Sequence, residues 1–126
     1  MIDHITFGVT DFARSTAFYD QALAPLGISR LFDVSKEESD GLNVCGYGDE
    51  RPRFWLAEER PTKGLFHVAF QAKSRAQVGA FHAAALQAGG TDNGSPGLRP
   101  HYHPDYYAAF ILDPDGHNIE AVCFSK

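Results

Sequence analysis

The chain repeats itself once, and this repeat constrains the possible folds more than any other feature of the sequence. His67 follows His4 by 63 residues, and at the same spacing several residues of the first half recur in the second. The alignment needs no gap and pairs Phe7 with Phe70, Ala17 with Ala80, Phe18 with Phe81, Leu23 with Leu86 and Gly27 with Gly90. Self-similarity of this kind indicates a duplicated structural unit. We therefore expect two modules of one fold, residues 1–59 and 64–126.

Each half predicts the element order βαβββ. Runs such as "IDHITFGV" and "LFHVAFQA" alternate and are rich in β-branched and aromatic residues, which is typical of strands. A helical segment follows each run, with Asp11 and Ser74 as candidate N-caps and glycines after the last turn. Three short strands complete the first half, whereas in the second the segment 91–105 predicts one short strand before a hairpin that turns at Gly116. The sequence therefore predicts an α+β fold.

Composition and charge narrow the range of partners. The chain has 126 residues, is 44% hydrophobic and carries a formal charge of −5 without a basic stripe. Nucleic acid and anionic membranes are therefore not expected as partners, because both select clustered positive charge. No apolar run is long enough to span a bilayer, and no signal peptide is apparent at the N-terminus. Cys45 and Cys123 lie in apolar segments, so we expect reduced thiols in a cytoplasmic protein.

The histidines of the two first strands, together with one glutamate, are the candidates for chemistry. The repeat gives His4 and His67 the same position in the two modules. Glu120 lies within an apolar strand, where an ionised carboxylate is costly unless it is paired or bound to a cation. Two imidazoles and one carboxylate suit a divalent metal, although each residue alone could equally be a hydrogen-bonded or solvent-facing side chain. We expect the remaining helix and turn histidines, His82 and His117, to face solvent.

The stretch "RPHYHPDYYAAF" offers a second group of functional candidates. His101 and His103 face the same way on extended backbone, and either Tyr106 or Tyr107 must face the cavity that we expect between the two modules. The stretch could be a solvated loop, a substrate wall with a general acid or base, or a source of one more metal ligand. The predicted catalytic residues are His101, His103 and Tyr107, and the predicted substrate-binding residues are Trp55, Tyr102, Tyr106 and Arg99.

Three segments give the whole chain its resemblance to a known family. They are "DHITFGVTDFARSTAFYDQAL", "FHVAFQAKSRAQVGAFHAAALQAGG" and "AAFILDPDGHNIEAV". The chain resembles the vicinal oxygen chelate superfamily, which includes glyoxalase I, extradiol dioxygenases, fosfomycin-resistance proteins and bleomycin-binding proteins. The resemblance implies two βαβββ modules whose curled mixed sheet surrounds a metal cleft, with the helices outside. It also implies a divalent metal (Zn, Fe, Mn or Ni) on His4, His67 and Glu120.

One position departs from the glyoxalase I type. Aligning "RFWLAEE" puts Trp55 where such members carry a metal-binding glutamate, although a three-residue slip would bring Glu58 there. Trp55 is the centre of the apolar strand, so we expect an open three-ligand site. The resemblance then implies a metalloenzyme of glyoxalase or dioxygenase type, acting on a small substrate with adjacent oxygens. The alternatives are a metal-free ligand-binding protein like the bleomycin-resistance members and a fosfomycin-type thiol transferase. The resemblance also implies a homodimer, with modules paired within one chain or between two.

Overall fold

The computed structural model describes residues 1–126 and confirms the repeated element order. The elements are β1 Ile5–Gly8, α1 Phe12–Ala22, a short 3₁₀ helix Ala24–Leu26, β2 Ser29–Val34, β3 Val44–Gly48, β4 Pro52–Ala57, β5 His67–Gln71, α2 Arg75–Gln87, β6 Thr91–Leu98, β7 Tyr107–Leu112 and β8 Asn118–Cys123. Neither α-helix is long and apolar enough to cross a membrane. The α+β class and the two βαβββ units are as predicted.

The strands form two mixed sheets of four, one from each half of the chain. Their orders are β1-β4-β3-β2 and β5-β8-β7-β6. In both sheets the first strand runs parallel to the last and lies at the edge, while the remaining pairs are antiparallel. The two histidine-bearing segments therefore lead into, or lie at, equivalent edge strands.

The predicted caps begin both helices. The Asp11 side chain accepts a hydrogen bond from the backbone N–H of Arg14, and the Ser74 hydroxyl accepts one from the N–H of Gln77. Each cap satisfies one of the backbone donors that a helix start leaves without an intrahelical partner. The two helices also contact each other, which brings the two halves of the chain together on that side.

One apolar core joins the two halves. The Phe7 ring of β1 packs edge-on against Phe66, with 4.0 Å between ring centroids, and Phe54 of β4 packs on Phe70 of β5 at 5.2 Å. A buried phenylalanine contributes about 1.5–3 kcal/mol to stability, so these contacts stabilise the packing of the two modules against each other. Cys45 and Cys123 are buried and free of a disulfide, as expected.

Strand β6 corrects one expectation, because it is eight residues long rather than short. Its pairing with β7 is irregular around Gly94 and Gly97, which lie opposite Phe110 and Ala108. A Cβ atom on Gly94 would come within 2.9 Å of Phe110 Cδ1. The absence of a Cβ atom at Gly94 thus lets this turn-like sequence continue as a strand opposite the large Phe110 side chain. Local turn signals do not reveal such a pairing.

The two histidines expected in solvent are also corrections. The side chain of His82 is only 12% exposed, and its Nε2 lies 2.9 Å from a carboxylate oxygen of Asp92. His117 is buried, with its ring against Phe7 and Phe66. The turn folds inward because the Asp113 carboxylate accepts the backbone N–H of His117.

Candidate metal centre

A buried carboxylate with two side-chain partners forms the centre of the second sheet. Glu120 Oε1 lies 2.8 Å from His67 Nε2, and the Tyr106 hydroxyl donates to Oε2 at 2.5 Å. The parallel register of β5 and β8 sets Ala69 opposite Glu120, so that His67, two residues earlier, projects on the same face. Tyr106 reaches the carboxylate from the segment before β7, the antiparallel neighbour of β8.

The members of this group differ in exposure, and Tyr106 has a shifted pKa. The Glu120 side chain is 1% exposed, whereas that of His67 is 43% exposed. Burial and the hydrogen bond to Glu120 raise the pKa of Tyr106 well above its usual value, so its hydroxyl keeps its proton. Imidazole nitrogen and carboxylate oxygen are both ligand types for a divalent transition metal.

The third predicted ligand lies elsewhere in the chain. His4 precedes β1 and is exposed, and its Nδ1 is 2.8 Å from an oxygen of Asp3. Asp3 is in turn bound by both terminal nitrogens of Arg51, at 2.8 and 3.1 Å. The Arg51 guanidinium, with His4, lowers the pKa of Asp3 to about 2. His4 lines an open cavity of about 260 Å³ together with Thr6 and Trp55.

No group of three or more histidine, cysteine, aspartate or glutamate side chains gathers into a metal site within the chain. The structure therefore brings His67 and Glu120 together and leaves His4 apart from them. It also adds two residues that the sequence reasoning missed, Asp3 and Arg51. Asp3 stands next to His4 in the sequence, and this adjacency is a signal for it. No local sequence pattern indicates Arg51.

The strand register assigns the position that corresponds to Glu120 in the first module. Thr6 lies opposite Trp55 in the first sheet, just as Ala69, its counterpart in the repeat, lies opposite Glu120 in the second. Glu58 instead follows β4 and accepts a hydrogen bond from the Asn43 side chain at 2.9 Å. Trp55 therefore occupies the position equivalent to Glu120, in agreement with the sequence alignment.

Tyr107 and Arg99 have packing and backbone contacts. The Tyr107 ring lies under the guanidinium of Arg75 on α2, at 4.9 Å, on the opposite side of the sheet from Tyr106. Arg99 donates to the carbonyls of Gly97 at 2.7 Å, Ser95 at 2.8 Å and Ala108 at 3.3 Å. The hydrogen bonds of its guanidinium thus go to backbone oxygens, and they hold the irregular β6 in shape.

The other candidates form an exposed aromatic cluster next to Tyr106. The Tyr102 ring lies 4.1 Å from the His101 ring and 5.1 Å from the Tyr106 ring, between centroids. His103 accepts a hydrogen bond from the backbone N–H of Asp105, and its ring meets Phe124 edge-on. The rings of Tyr102 and Phe124 both contact that of Tyr106, whose hydroxyl donates to Glu120.

Comparison with known proteins identifies the family. The model of the Glyoxalase/Bleomycin resistance protein/Dioxygenase superfamily matches residues 1–121, and the chain belongs to that superfamily. A glyoxalase/bleomycin resistance protein from Albidiferax ferrireducens T118 is 32% identical, with a TM-score of 0.78 over 97% of both chains. A glyoxalase I mutant from Zea mays shares the fold at 18% identity, with a TM-score of 0.73 over 96% of this chain and 44% of that one. None of the curated proteins matches the chain.

Proposed function

We propose that this protein is a small metalloenzyme that acts on a substrate with two adjacent oxygens. His67 and Glu120 of one chain, together with His4 of a second copy, would hold the divalent metal. The contact that carries the proposal is the 2.8 Å approach of His67 Nε2 to the buried Glu120 carboxylate. When bound, such a metal acts as a Lewis acid toward substrate oxygens.

The residues present fit a divalent metal. Glu120 is buried and has no permanently charged cationic partner. Its two side-chain partners are a tyrosine hydroxyl and a histidine that is charged only when protonated. A buried carboxylate without a counter-charge is costly, and a metal ion would supply that charge. Imidazole nitrogen and carboxylate oxygen are also the donor types that Zn, Fe, Mn and Ni accept.

A second copy of the chain is the proposed source of the third ligand. Each module offers only part of the set, because Trp55 occupies the position that Glu120 has in the other module. Ile2 and Leu65, two residues before the two site histidines, are 77% and 102% exposed, and Phe32 on the first sheet is also exposed. Apolar side chains at equivalent sheet edges favour a twofold contact in which each first module meets the partner's second module.

The aromatic cluster would form the substrate wall. Tyr106 holds Glu120 in place through its hydroxyl, so we propose Tyr106 rather than Tyr107 as the tyrosine of this site. His101 and His103 are exposed imidazoles that could transfer a proton near neutral pH. Trp55 and Tyr102 would contact the substrate, and Arg99 would maintain the wall through its backbone contacts.

A metal-free binding protein is the second candidate function. The Trp55 ring meets Phe32 at 6.2 Å beside the open cavity that contains His4, and such an aromatic surface could hold a flat ligand without an ion. The fosfomycin-type thiol transferase has less support, because the Arg99 guanidinium already donates to backbone carbonyls rather than facing a phosphonate.

Metal analysis of the purified protein tests the proposal. We expect about one divalent ion per chain in the wild type, and loss of most of it in His67→Ala and Glu120→Gln. His82→Gln is the matched control, because His82 bonds Asp92 between α2 and β6 and should leave the metal content unchanged. A wild-type protein that binds no metal, yet binds an aromatic ligand after chelator treatment, would contradict the enzyme proposal and support the binding protein.

A further inference from the structure

Asp3 fixes which nitrogen of His4 is free. Its carboxylate lies 2.8 Å from His4 Nδ1. An ionised carboxylate only accepts hydrogen bonds, so Nδ1 must carry the proton in this contact. In the neutral imidazole the other nitrogen, Nε2, is then bare and able to bind a metal. Nε2 is also the nitrogen of His67 that faces Glu120.

Arg51 gives this exposed contact more weight than an ordinary surface pair. Most surface ion pairs contribute little to stability, since two mobile side chains must be ordered. Here the guanidinium binds both carboxylate oxygens, at 3.1 and 2.8 Å, in the bidentate geometry that fixes orientation. The Asp3 carboxylate is thereby presented to His4 in a defined direction.

The second module has no such device. Phe66 occupies the position of Asp3 in the repeat, and its ring packs in the core against Phe7. His67 is oriented instead by its direct contact with Glu120. Asp3, the acidic residue beside His4, is therefore specific to the first module and is not explained by the duplication.

We propose that Asp3, held by Arg51, is a positioning residue that fixes the His4 ring with Nδ1–H toward its carboxylate, so that Nε2 is free for the shared metal. The inference rests on the proposed function. It goes beyond that function by assigning a carboxylate–histidine–metal relay to one module only. Partners of this kind typically change metal affinity 10–100-fold when they are removed.

The tautomer of His4 in metal-free protein is the first test. Long-range ¹H–¹⁵N correlations above neutral pH should show the Nδ1–H form in wild type and the Nε2–H form in Asp3→Ala. Asp40→Asn is the matched control, because it also removes one carboxylate but lies in the β2–β3 connection. An Nε2–H tautomer in the wild type would overturn the inference directly.

Zn²⁺ affinity is the second test. Asp3→Ala should weaken Zn²⁺ binding at least about 10-fold, and Arg51→Lys should weaken it less, because one of the two guanidinium contacts can be replaced. Asp40→Asn should bind as the wild type does, and circular dichroism should show all variants folded. If wild type binds Zn²⁺ and Asp3→Ala binds equally well, the inference is wrong and the proposed function stands. If wild type binds no Zn²⁺, both are wrong.

Discussion

The hydroxyl of Tyr106 is one of only two side-chain partners of the buried Glu120 carboxylate. Tyr106→Phe removes one oxygen atom and leaves Glu120 Oε2 without its donor. A hydrogen bond to a charged group contributes about 1.5–3 kcal/mol, and an unsatisfied buried acceptor costs about as much. We therefore expect metal-free protein to lose about 1.5–3 kcal/mol, or roughly 5–12 °C in melting temperature for a chain of this length.

Chemical denaturation in the presence of a chelator measures this loss without a metal contribution. Tyr102→Phe is the matched control, because the Tyr102 hydroxyl is exposed and makes no hydrogen bond within the chain. It should change the free energy of unfolding by less than about 0.5 kcal/mol, as most surface substitutions do. If Tyr106→Phe is as stable as Tyr102→Phe, then the Tyr106–Glu120 contact does not anchor the site.

Two further substitutions test the register and the shape of the sheets. Trp55→Glu places a carboxylate at the position equivalent to Glu120, so it should raise Zn²⁺ affinity by adding a fourth ligand. Calorimetry measures this affinity. Unchanged or weaker binding would show that the two positions are not equivalent. Gly94→Ala forces a Cβ atom to within 2.9 Å of Phe110 Cδ1, so it should lower the free energy of unfolding in urea by about 1–3 kcal/mol. Gly79→Ala is the control, because a Cβ atom there meets nothing within 4 Å and should not destabilise the protein. Equal stabilities of the two alanine variants would contradict the close packing of β6.

The repeat made the fold predictable to an unusual extent. A spacing shared by His4 and His67 predicted two equal modules, and the structure shows one four-stranded sheet from each half of the chain. The match of Trp55 to Glu120 was implied by the family resemblance, and the register of the two sheets agrees with it. These features are local or periodic, and the sequence encodes them directly.

The rest depends on contacts between distant segments. The burial of His117 follows from its packing on Phe7, more than 100 residues earlier, and no local pattern indicates it. The link from Arg51 to Asp3 is of the same kind. The separation of His4 from Glu120 is likewise a property of how the two sheets are arranged, and alternation along a strand does not encode it.

Mixing two variants that each lose metal binding tests the proposed shared site most directly. Each of His4→Ala and Glu120→Gln alone should lose most bound metal, because each breaks every site of a symmetric dimer. After co-refolding at equal amounts, about half of the dimers combine the two variants. Each such dimer regains one intact site, so metal binding should recover to about a quarter of the wild-type level. No recovery from the mixture, with stoichiometric metal in the wild type and dimers that demonstrably exchange, would contradict a site shared between two chains.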